Sequence, residues 1–364
     1  MNDHILIKKA ENVLGKIIIG VEHLSNQYGV NQKLYCLTTA DKNKYFMKFC
    51  RDNTLYEAEG YKKLSSYLPV AEMVYNGYLV NQAIIIYEYK EGRLLTDILL
   101  EAENRNLSGE FLRHEDNKNR VLLNMYEKTK VKIDMDQYMR TKTNTLFQGR
   151  LFGDRYKEYF LGNGSTLFPL FSKEIWLNGK KLGKAIEVIN NIKKKYQLKP
   201  EIKIDAVLGH GDCHHQNVIC DKSNDLYFTD FEYSANIPLA MELSKPYYID
   251  LMGTLFFFFE NRLLKHFSFE TTRESSSLLG YGIRLKSYPL LRLAITENKV
   301  QYFRGLLDSS RDPLTLNDYL VLSHLLSRNP NKYSKHAQEL FLVMLVLLSR
   351  FDPFNPKSLF DYFI

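Results

Sequence analysis

The sequence lacks the long apolar runs and the cysteine pairs that mark membrane and disulfide-rich proteins. No run reaches the roughly 18 apolar residues that a membrane span needs, and the longest, from Leu340 to Leu348, reads as a buried helix. The amino terminus has no apolar segment after a basic start, so no secretory signal is expected. The four cysteines form no CxxC pair, which favours a reducing compartment over a disulfide framework. We therefore expect a soluble, cytoplasmic protein that makes no use of a membrane.

A strong excess of charge of one sign is also missing. Lys and Arg number 49 against 42 Asp and Glu, and the net charge of +7 is spread over 364 residues. So mild an excess argues against a dedicated polyanion binder, and no nucleic-acid partner is expected. What the sequence does have is 45% hydrophobic residues, enough to bury a sizeable core in one large or two modest domains.

Three segments among the first ninety residues are rich in aromatic and branched residues and predict β-strands: 33–39, 44–50 and 83–89. The first two are separated by Ala-Asp-Lys-Asn, a turn composition that predicts a hairpin. From 54 to 68 the apolar residues recur at helical spacing, and Pro69 ends the pattern. We expect a small antiparallel sheet with one helix, followed by a mainly helical region.

The most unusual polar residues surround two short apolar runs, 217–220 and 226–229. These runs flank a turn rich in Asp, Ser and Asn and predict a β-hairpin. In a hairpin closed in that way, Asn217 and Asp230 are expected to be neighbours about 5 Å apart. Asp212, on the preceding loop, can reach the same place.

Two carboxylates and an amide oxygen form an oxygen-rich site that suits Mg²⁺, a cation that shares its coordination shell with substrate phosphates. Phosphoryl transfer requires such a cation, because charge develops on several oxygens in its transition state. If Asp212 instead faces the acceptor hydroxyl, its carboxylate can take the proton.

The residues that carry this chemistry follow a recognisable pattern. It resembles the catalytic loop and metal-binding motif of the aminoglycoside phosphotransferase and choline kinase family, in which the Asp-to-Asn interval equals that of protein kinases. The matching residues are His210-Gly-Asp212-x-His214-x-x-Asn217 and then Asp230-Phe231-Glu232.

The resemblance implies an α+β, two-lobed protein-kinase-like fold. Its smaller lobe, residues 1–90, would be a nucleotide-binding lobe with an antiparallel sheet and one helix. The larger, mainly helical lobe, residues 91–364, would carry the catalytic loop at 208–232 and a helical insertion at about 100–200. In this family the helical parts build much of the acceptor pocket.

The resemblance also implies roles for individual residues. Asp212 would be the catalytic base, and Asn217 and Asp230 would be Mg²⁺ ligands. His210 and His214 would support the loop structurally.

Two acidic residues beyond the loop have weaker counterparts in the family. Asp250 resembles the acid that opens the helix after the metal motif, and we treat it as structural because a helix N-cap explains it equally well. Glu232 replaces the glycine of the protein-kinase D-F-G motif and could approach a second metal.

A zinc site is the chemical alternative, because imidazole and thiolate groups suit that metal. Five candidate ligands lie too close together in sequence to face one ion, and no second cluster has ligand spacing. They are His210, Asp212, Cys213, His214 and His215.

A kinase also needs a lysine that holds the nucleotide phosphates. Strand alternation puts Lys48 on the face shared with Phe46 and Cys50, where a lysine needs a partner or a phosphate. Glu57 lies on the apolar face of the predicted helix, whereas Glu59 points about 200° away. We therefore prefer Glu57 as the partner of Lys48 in the pair that orients the phosphates.

The predicted strand 83–89 runs into a segment that resembles the family's hinge. There the Glu88 carbonyl and the Lys90 amide would bind the adenine edge of ATP, and GTP is not excluded. The expected phosphate-covering loop departs from the family, because it holds only Gly29 and no G-x-G-x-x-G pattern. The polar residues available there, none of which can be assigned, are Ser25, Asn26 and Asn31.

We conclude from the sequence that the chain is an ATP- and Mg²⁺-dependent phosphotransferase acting on a hydroxyl of a small molecule. The sequence does not determine its oligomeric state. The alternative is a non-catalytic or regulatory nucleotide-binding relative, which the glycine-poor loop favours mildly. Transfer to a protein, or a nucleotide-modified product, is a third hypothesis.

The sequence does not identify the molecule that accepts the phosphoryl group. Choline would need an aromatic cage, for which 22 Phe and 25 Tyr leave too many candidates. Sugars, amino acids and nucleosides are further possibilities. An aminoglycoside would favour an acidic cleft, and the acids that could contribute, although they fit scattered surface positions better, are Asp308, Asp312, Asp318, Asp352 and Asp361.

Overall fold

The computed structural model describes most of the chain. The described residues are 3–24, 33–50, 53–105, 107–161, 165, 167–197, 202–257, 262–270, 272–325 and 329–364. No helix within these ranges is both long enough and apolar enough to span a bilayer. The candidate phosphate-covering residues Ser25, Asn26, Gly29 and Asn31 lie outside them.

Helices and strands are numbered here in chain order. The helices are α1 (Asp3–Leu14), α2 (Tyr56–Leu64), α3 (Leu95–Arg105), α4 (Ser108–Lys128), α5 (Met135–Met139), α6 (Lys142–Phe152), α7 (Asp154–Tyr156), α8 (Ala185–Tyr196), α9 (Leu239–Tyr248), α10 (Leu263–His266), α11 (Leu290–Asp308), α12 (Leu316–Leu325), α13 (Lys335–Leu347) and α14 (Lys357–Phe360). The strands are β1 (Ile18–Leu24), β2 (Leu34–Thr39), β3 (Lys44–Phe49), β4 (Met73–Leu79), β5 (Gln82–Glu88), β6 (Gly92–Leu94), β7 (Val131–Asp134), β8 (Glu174–Leu177), β9 (Lys180–Gly183), β10 (Lys203–Gly209), β11 (Val218–Asp221), β12 (Leu226–Phe228), β13 (Ala235–Ile237), β14 (Phe267–Phe269), β15 (Arg273–Glu274), β16 (Leu278–Tyr281) and β17 (Ile283–Leu285).

The chain divides into two compact units. The first unit comprises Met1–Glu101 and His215–Ser234, and the second comprises Ala102–His214 and Ala235–Ile364. The hairpin after the catalytic loop thus belongs to the first unit, whereas it was predicted to lie in the larger domain. The predicted domain bounds, 1–90 and 91–364, stay a prediction.

The first unit is built on a five-stranded antiparallel sheet. Its strand order is β1-β2-β3-β5-β4, so the predicted strands 33–39, 44–50 and 83–89 correspond to β2, β3 and β5. Alternation along β5 puts Ile84 and Ile86 in one core and Ile85 and Tyr87 in another. The second of these cores receives Ala58 of α2.

The prediction of one helix in this region is wrong, because α1 packs Ala10 into the core formed by Ile84 and Ile86. Val13 and Leu14 pack against the same core at helical spacing. The polar residues next to them, Lys8, Lys9, Glu11 and Asn12, obscure this apolar stripe in the sequence. Strands β1 and β4 were also missed, since both alternate half-buried and exposed positions and have a glycine inside.

A second, three-stranded sheet in the first unit has the order β12-β11-β6. The predicted hairpin is confirmed as β11 and β12, with Val218 opposite Phe228. The amide of Phe228 donates to the Pro69 carbonyl at 2.9 Å, which ties the hairpin to the chain just after α2. Gly60 of α2 lies so close to the next segment that a Cβ there would be 2.0 Å from the Phe231 carbonyl oxygen. Helix α2 and the residues after β12 therefore pack backbone against backbone.

The second unit is mainly helical, and its longest helices are α4 and α11, which pack on each other. The predicted helical insertion at about 100–200 contains helices α4 to α8 but also strands β7, β8 and β9. Strand β10 pairs with β7 and β13 and leads directly to His210. A helical run follows β13 from Leu239 to Phe257, of which Ile249–Phe257 is a π-helix.

Candidate active site

Lys48, Glu57 and Asp230 meet in the first unit. Lys48 Nζ lies 2.5 Å from Glu57 Oε2 and 2.7 Å from Asp230 Oδ1. Lys48 and Glu57 are buried, whereas the Asp230 side chain keeps 29% of its surface exposed. Glu59 is exposed, so the structure brings Lys48 together with the glutamate preferred from helical spacing.

The electrostatics of this triad follow from burial and ion pairing. Burial by itself would lower the pKa of the Lys48 ammonium, but Asp230 and Glu57 outweigh it and the pKa is raised. Burial raises the pKa of the Glu57 carboxyl, and Lys48 opposes that shift. Lys48 is therefore a firmly charged cation that the protein holds in one place.

Tyr87 completes the arrangement and was missed from the sequence. Its hydroxyl donates to Glu57 Oε1 at 3.0 Å, and burial, followed by the Glu57 charge, raises the pKa of the phenol well above its usual value. Alternation along β5 placed Tyr87 on the helix-facing side of the sheet, which is the signal that could have found it.

Asp230 follows strand β12 in a left-handed backbone conformation, with φ of 66°. This conformation is unfavourable for a non-glycine residue, and the surrounding packing must offset its free-energy cost. Residues in such conformations are common at functional sites. The ladder continues past Val218 and Phe228 with the Thr229 amide donating to the Asn217 carbonyl at 3.0 Å. Direct pairing of Asn217 with Asp230 is therefore wrong by one residue, because Thr229 stands opposite Asn217.

Asn217, Asp230 and Lys48 all line one cavity of about 410 Å³, a size typical of small-molecule sites. Its walls include the predicted hinge residues Glu88 and Lys90, whose side chains form an ion pair at 3.1 Å. Apolar side chains cover much of the remaining wall. They include Leu24, Leu34, Phe46, Ala71, Ile219 and Phe228.

The donors of this cavity suit a divalent cation. Asp230 offers a carboxylate and Asn217 a side-chain amide, which are hard oxygen ligands of the kind that Mg²⁺ accepts together with substrate phosphates and water. Lys48 beside them adds a positive charge that would repel a bare cation but favours a cation that arrives with phosphates. The site therefore fits magnesium bound to a nucleotide.

Asp212 lies in the second unit, on the loop after β10. Its carboxylate is held at both oxygens: His214 Nε2 lies 2.9 Å from Oδ1, and Lys245 Nζ lies 2.5 Å from Oδ2. Burial would raise the pKa of this carboxyl, but Lys245 and His214 outweigh it and lower the pKa well below its usual range. Asp212 is thus an ionised and oriented carboxylate, as a proton acceptor must be at neutral pH.

Glu242 of α9 fixes the loop that carries Asp212 and was missed from the sequence. It accepts the His210 amide at 3.0 Å, the Gly211 amide at 2.7 Å and the Tyr126 hydroxyl at 2.9 Å. Gly211 has φ of 78°, and a Cβ on Gly209 would lie 2.8 Å from Glu242 Oε2. Both glycines therefore allow the chain to wrap around a buried carboxylate.

Asp250 occupies the second position of the π-helix and belongs to a buried group of charges. Lys299 Nζ lies 2.7 Å from its carboxylate and Lys118 Nζ 3.9 Å away, while Glu115 pairs with Lys118 at 2.9 Å. Arg292 donates to the Asp250 carbonyl at 2.5 Å. The N-cap interpretation of Asp250 is wrong, because the helical run begins at Leu239 and passes through Asp250.

The other sequence-predicted residues can be placed as follows. His210 and His214 are buried in the second unit, and Glu232 is buried in the first. Within the described ranges no group of three or more His, Cys, Asp and Glu side chains is arranged to hold a metal, so the zinc alternative has no ligand cluster there. Asp212 belongs to the second unit and Asn217 and Asp230 to the first, and their meeting around one cation stays a prediction.

Comparison with known proteins identifies the fold. No family model matches the sequence, and no curated protein does either. Among solved structures, the amicoumacin kinase hAmiN in complex with AMP-PNP and Ca²⁺ matches with a TM-score of 0.54 and 12% identity, over 97% of this chain and 96% of that one. Aminoglycoside phosphotransferase APH(4)-Ia, in a ternary complex with ADP and hygromycin B, matches with a TM-score of 0.53 and 11% identity, over 98% of both chains. Choline kinase LicA from Streptococcus pneumoniae matches with a TM-score of 0.47 and 14% identity, over 99% of both chains.

The first two matches show that the chain has an α+β, protein-kinase-like fold, which confirms the predicted fold class. More particularly, these two structural neighbours are an amicoumacin kinase and an aminoglycoside phosphotransferase, which confirms the resemblance at the level of fold. At these identities the likeness concerns the fold alone.

Proposed function

We propose that the chain is an ATP-dependent, Mg²⁺-dependent phosphotransferase that phosphorylates a hydroxyl group of a small molecule. The observation that carries the proposal is the meeting of Lys48 with both Glu57 and Asp230 beside a cavity that Asn217 also lines. The two ion pairs of this lysine would stabilise the fold without a cavity beside them, so they do not explain the cavity. The lysine has the charge and the fixed position that nucleotide phosphates require.

Each residue of the first unit then has a part in holding the nucleotide. Lys48 would bind phosphate oxygens, while Glu57 and Tyr87 keep its ammonium in place. The Glu88 carbonyl and the Lys90 amide, at the end of β5, would bind the edge of the base. Asn217 and Asp230 would hold Mg²⁺, which when bound neutralises phosphate charge as the phosphoryl group moves.

In the second unit, Asp212 would act on the acceptor. The acceptor oxygen forms a bond to the γ-phosphorus, the bond from that phosphorus to the bridging oxygen of ADP breaks, and the hydroxyl proton passes to the Asp212 carboxylate. Because its pKa lies below the usual range, the carboxylate is ionised at neutral pH and orients the hydroxyl more than it attracts the proton.

We extend to this chain the kinds of ligand that its structural neighbours hold. The solved complexes named above hold AMP-PNP with Ca²⁺ in one case and ADP with hygromycin B in the other. A nucleotide, a divalent cation and a hydroxyl-bearing small molecule are therefore the ligands to supply, with antibiotics and hydroxylated metabolites as the first acceptors.

The test is ADP formation by the full chain with MgATP, alone and with a panel of hydroxylated antibiotics and metabolites. We expect at least one compound to accelerate turnover. The D212N variant should bind MgATP as the wild type does but lose turnover by about 10²–10⁴-fold, the usual contribution of a positioned base. Binding of MgATP without any turnover, in every mixture, would favour the non-catalytic relative instead, and absence of MgATP binding would end the proposal.

A further inference from the structure

Helix α9 presents two charged residues, Glu242 and Lys245, to the loop that carries Asp212. They are three positions apart and so lie on the same side of the helix. We propose that Lys245 is the positioning residue of the proposed base: its ammonium holds the Asp212 carboxylate in one orientation and keeps it ionised. This inference rests on the proposed function only for the role of Asp212, since the contact itself is a property of the folded chain.

Two contacts fix the orientation of the Asp212 carboxylate. Lys245 Nζ and His214 Nε2 each contact a different oxygen of Asp212, at 2.5 Å and 2.9 Å, so the carboxylate cannot turn about its last bond without losing one of them. The side chains of Lys245 and Asp212 are 15% and 10% exposed. A charged pair with so little water around it is much stronger than a surface pair.

Other features of the surroundings of Asp212 oppose its ionised form. Glu242, fully buried on the same helix, is a neighbouring carboxyl, and the charges of Asp212 and Glu242 repel each other. Burial also disfavours an ionised Asp212. Lys245 and, to a smaller extent, the imidazole of His214 oppose these two effects and lower the pKa of the Asp212 carboxyl.

Removal of Lys245 should therefore do more than loosen the loop. Asp212 would keep its burial and the nearby charge of Glu242 but lose an opposite charge at 2.5 Å, so the pKa of its carboxyl should rise. Because a protonated carboxyl cannot accept a proton, a higher pKa means that Asp212 stops acting as a base at a higher pH. The acidic limb of the pH–rate profile, where turnover falls with falling pH, should therefore also move to higher pH.

The experiment follows the Asp212 carboxyl directly, by ¹³C NMR of full-length protein labelled at aspartate Cγ, with the D212N spectrum used for assignment. In the wild type the carboxyl should stay ionised down to the lowest pH at which the chain is folded, whereas in K245M it should titrate at a higher pH, and K245R should return it towards the wild-type behaviour. The matched control is K195M, which removes a lysine of α8 that pairs with Asp318 at 2.6 Å in the same unit. It should leave the Asp212 titration unchanged.

The same variants are then assayed for MgATP turnover across pH. Movement of the acidic limb in K245M, with recovery in K245R, supports the positioning role, because a merely destabilised protein would lose activity at every pH. An Asp212 titration that is the same in K245M and in the wild type overturns the inference, whether or not the chain turns over ATP. If the Asp212 titration differs between K245M and the wild type but the wild type shows no turnover, the positioning of Asp212 by Lys245 stands. Only the proposed function is then contradicted.

Discussion

At the scale of single residues, the first unit uses a relay of contacts to place one cation. Tyr87 holds Glu57, Glu57 holds Lys48, and Lys48 contacts Asp230. Glu57 and Tyr87 also line the cavity, so each member of the relay is fixed by the next at the edge of the proposed nucleotide site. This arrangement allows the proposed phosphate-binding role to be tested at the Tyr87 hydroxyl, which donates to Glu57.

The Y87F variant should weaken MgATP binding several-fold. It removes a hydrogen bond to a charged carboxylate, worth about 1.5–3 kcal/mol of folding free energy, and frees Glu57 to leave Lys48. Isothermal titration of MgATP measures the affinity, and urea unfolding measures the stability.

The matched control is Y247F, which removes the hydroxyl that donates to the Pro353 carbonyl at 3.1 Å in the second unit. It should lower stability while leaving the MgATP affinity unchanged. Equal affinities in Y87F and the wild type would show that the hydroxyl of Tyr87 does not position Lys48.

At the scale of elements, the site of the first unit depends on how closely α2 approaches the residues after β12. Gly60 permits that approach, because a Cβ at this position would lie 2.0 Å from the Phe231 carbonyl oxygen. Since Asp230 precedes Phe231 and Glu57 lies one turn before Gly60, any displacement of the helix also separates the carboxylates that hold Lys48.

G60A should therefore destabilise the protein and weaken MgATP binding. Overpacking costs about 1–3 kcal/mol or more, which exceeds the roughly 1 kcal/mol that alanine gains over glycine in a helix. Thermal and urea unfolding, with titration of MgATP, measure both effects.

G305A is the matched control, because Gly305 lies in helix α11 with nothing within 4 Å of an added Cβ. There the helix propensity should prevail and the variant should be more stable by about 0.5–1 kcal/mol. If G60A behaved like G305A, the close approach of α2 to Phe231 would not exist in solution.

Three helical segments of the second unit meet at His324 of α12. Its Nε2 is 2.8 Å from the Phe341 carbonyl of α13, and its Nδ1 is 3.1 Å from the Tyr248 hydroxyl of α9. A carbonyl can only accept, so Nε2 carries the proton and Nδ1 accepts from Tyr248. Burial lowers the pKa of this imidazole to about 4 from 6.5.

His324 should therefore make the protein sensitive to acid. Because the folded-state pKa is the lower one, the unfolded chain takes up the proton first as the pH falls below 6.5. Stability is then lost at up to about 1.4 kcal/mol per pH unit until the pH reaches about 4. H324Q disturbs the two buried hydrogen bonds of the imidazole, so it should be less stable than the wild type at pH 7. Because it also removes the titration, the difference should narrow towards pH 4.5 in urea unfolding. A difference that stays constant with pH would refute the assignment of a neutral, buried His324.

At the scale of the whole molecule, local patterns predicted some parts of the site and not others. Glu57 was found because one face of a helix must be buried, and a carboxylate there needs a cation. Tyr87, Glu242 and Lys245 were not found, because each acts on a residue far away in sequence and looks locally like an ordinary strand or helix residue.

The strand pairings show the same limit. The hairpin itself was predicted by its turn, but the register was wrong by one residue, since Thr229 and not Asp230 stands opposite Asn217. Helix α1 was missed because its apolar residues are mixed with polar ones: Lys8 and Lys9 precede Ala10, and Glu11 and Asn12 separate it from Val13. Registers and long-range contacts are decided by tertiary packing, which a single sequence does not display.

The proposed roles of Lys48 and Asp212 predict opposite results when stability is measured with ligand. A ligand that binds only the folded chain stabilises it, by about 2.7 kcal/mol at a hundred times its dissociation constant. MgATP should therefore raise the unfolding free energy of the wild type and of D212N alike, since Asp212 is assigned to the acceptor. K48M should lose most of the effect, because phosphate charge then has no fixed cation to bind.

ATP with EDTA should stabilise the wild type less than MgATP does, since Asn217 and Asp230 are assigned to the cation. Stabilisation of K48M equal to that of the wild type would remove Lys48 from the nucleotide site, and loss of stabilisation in D212N would mean that Asp212 holds the nucleotide instead of the acceptor.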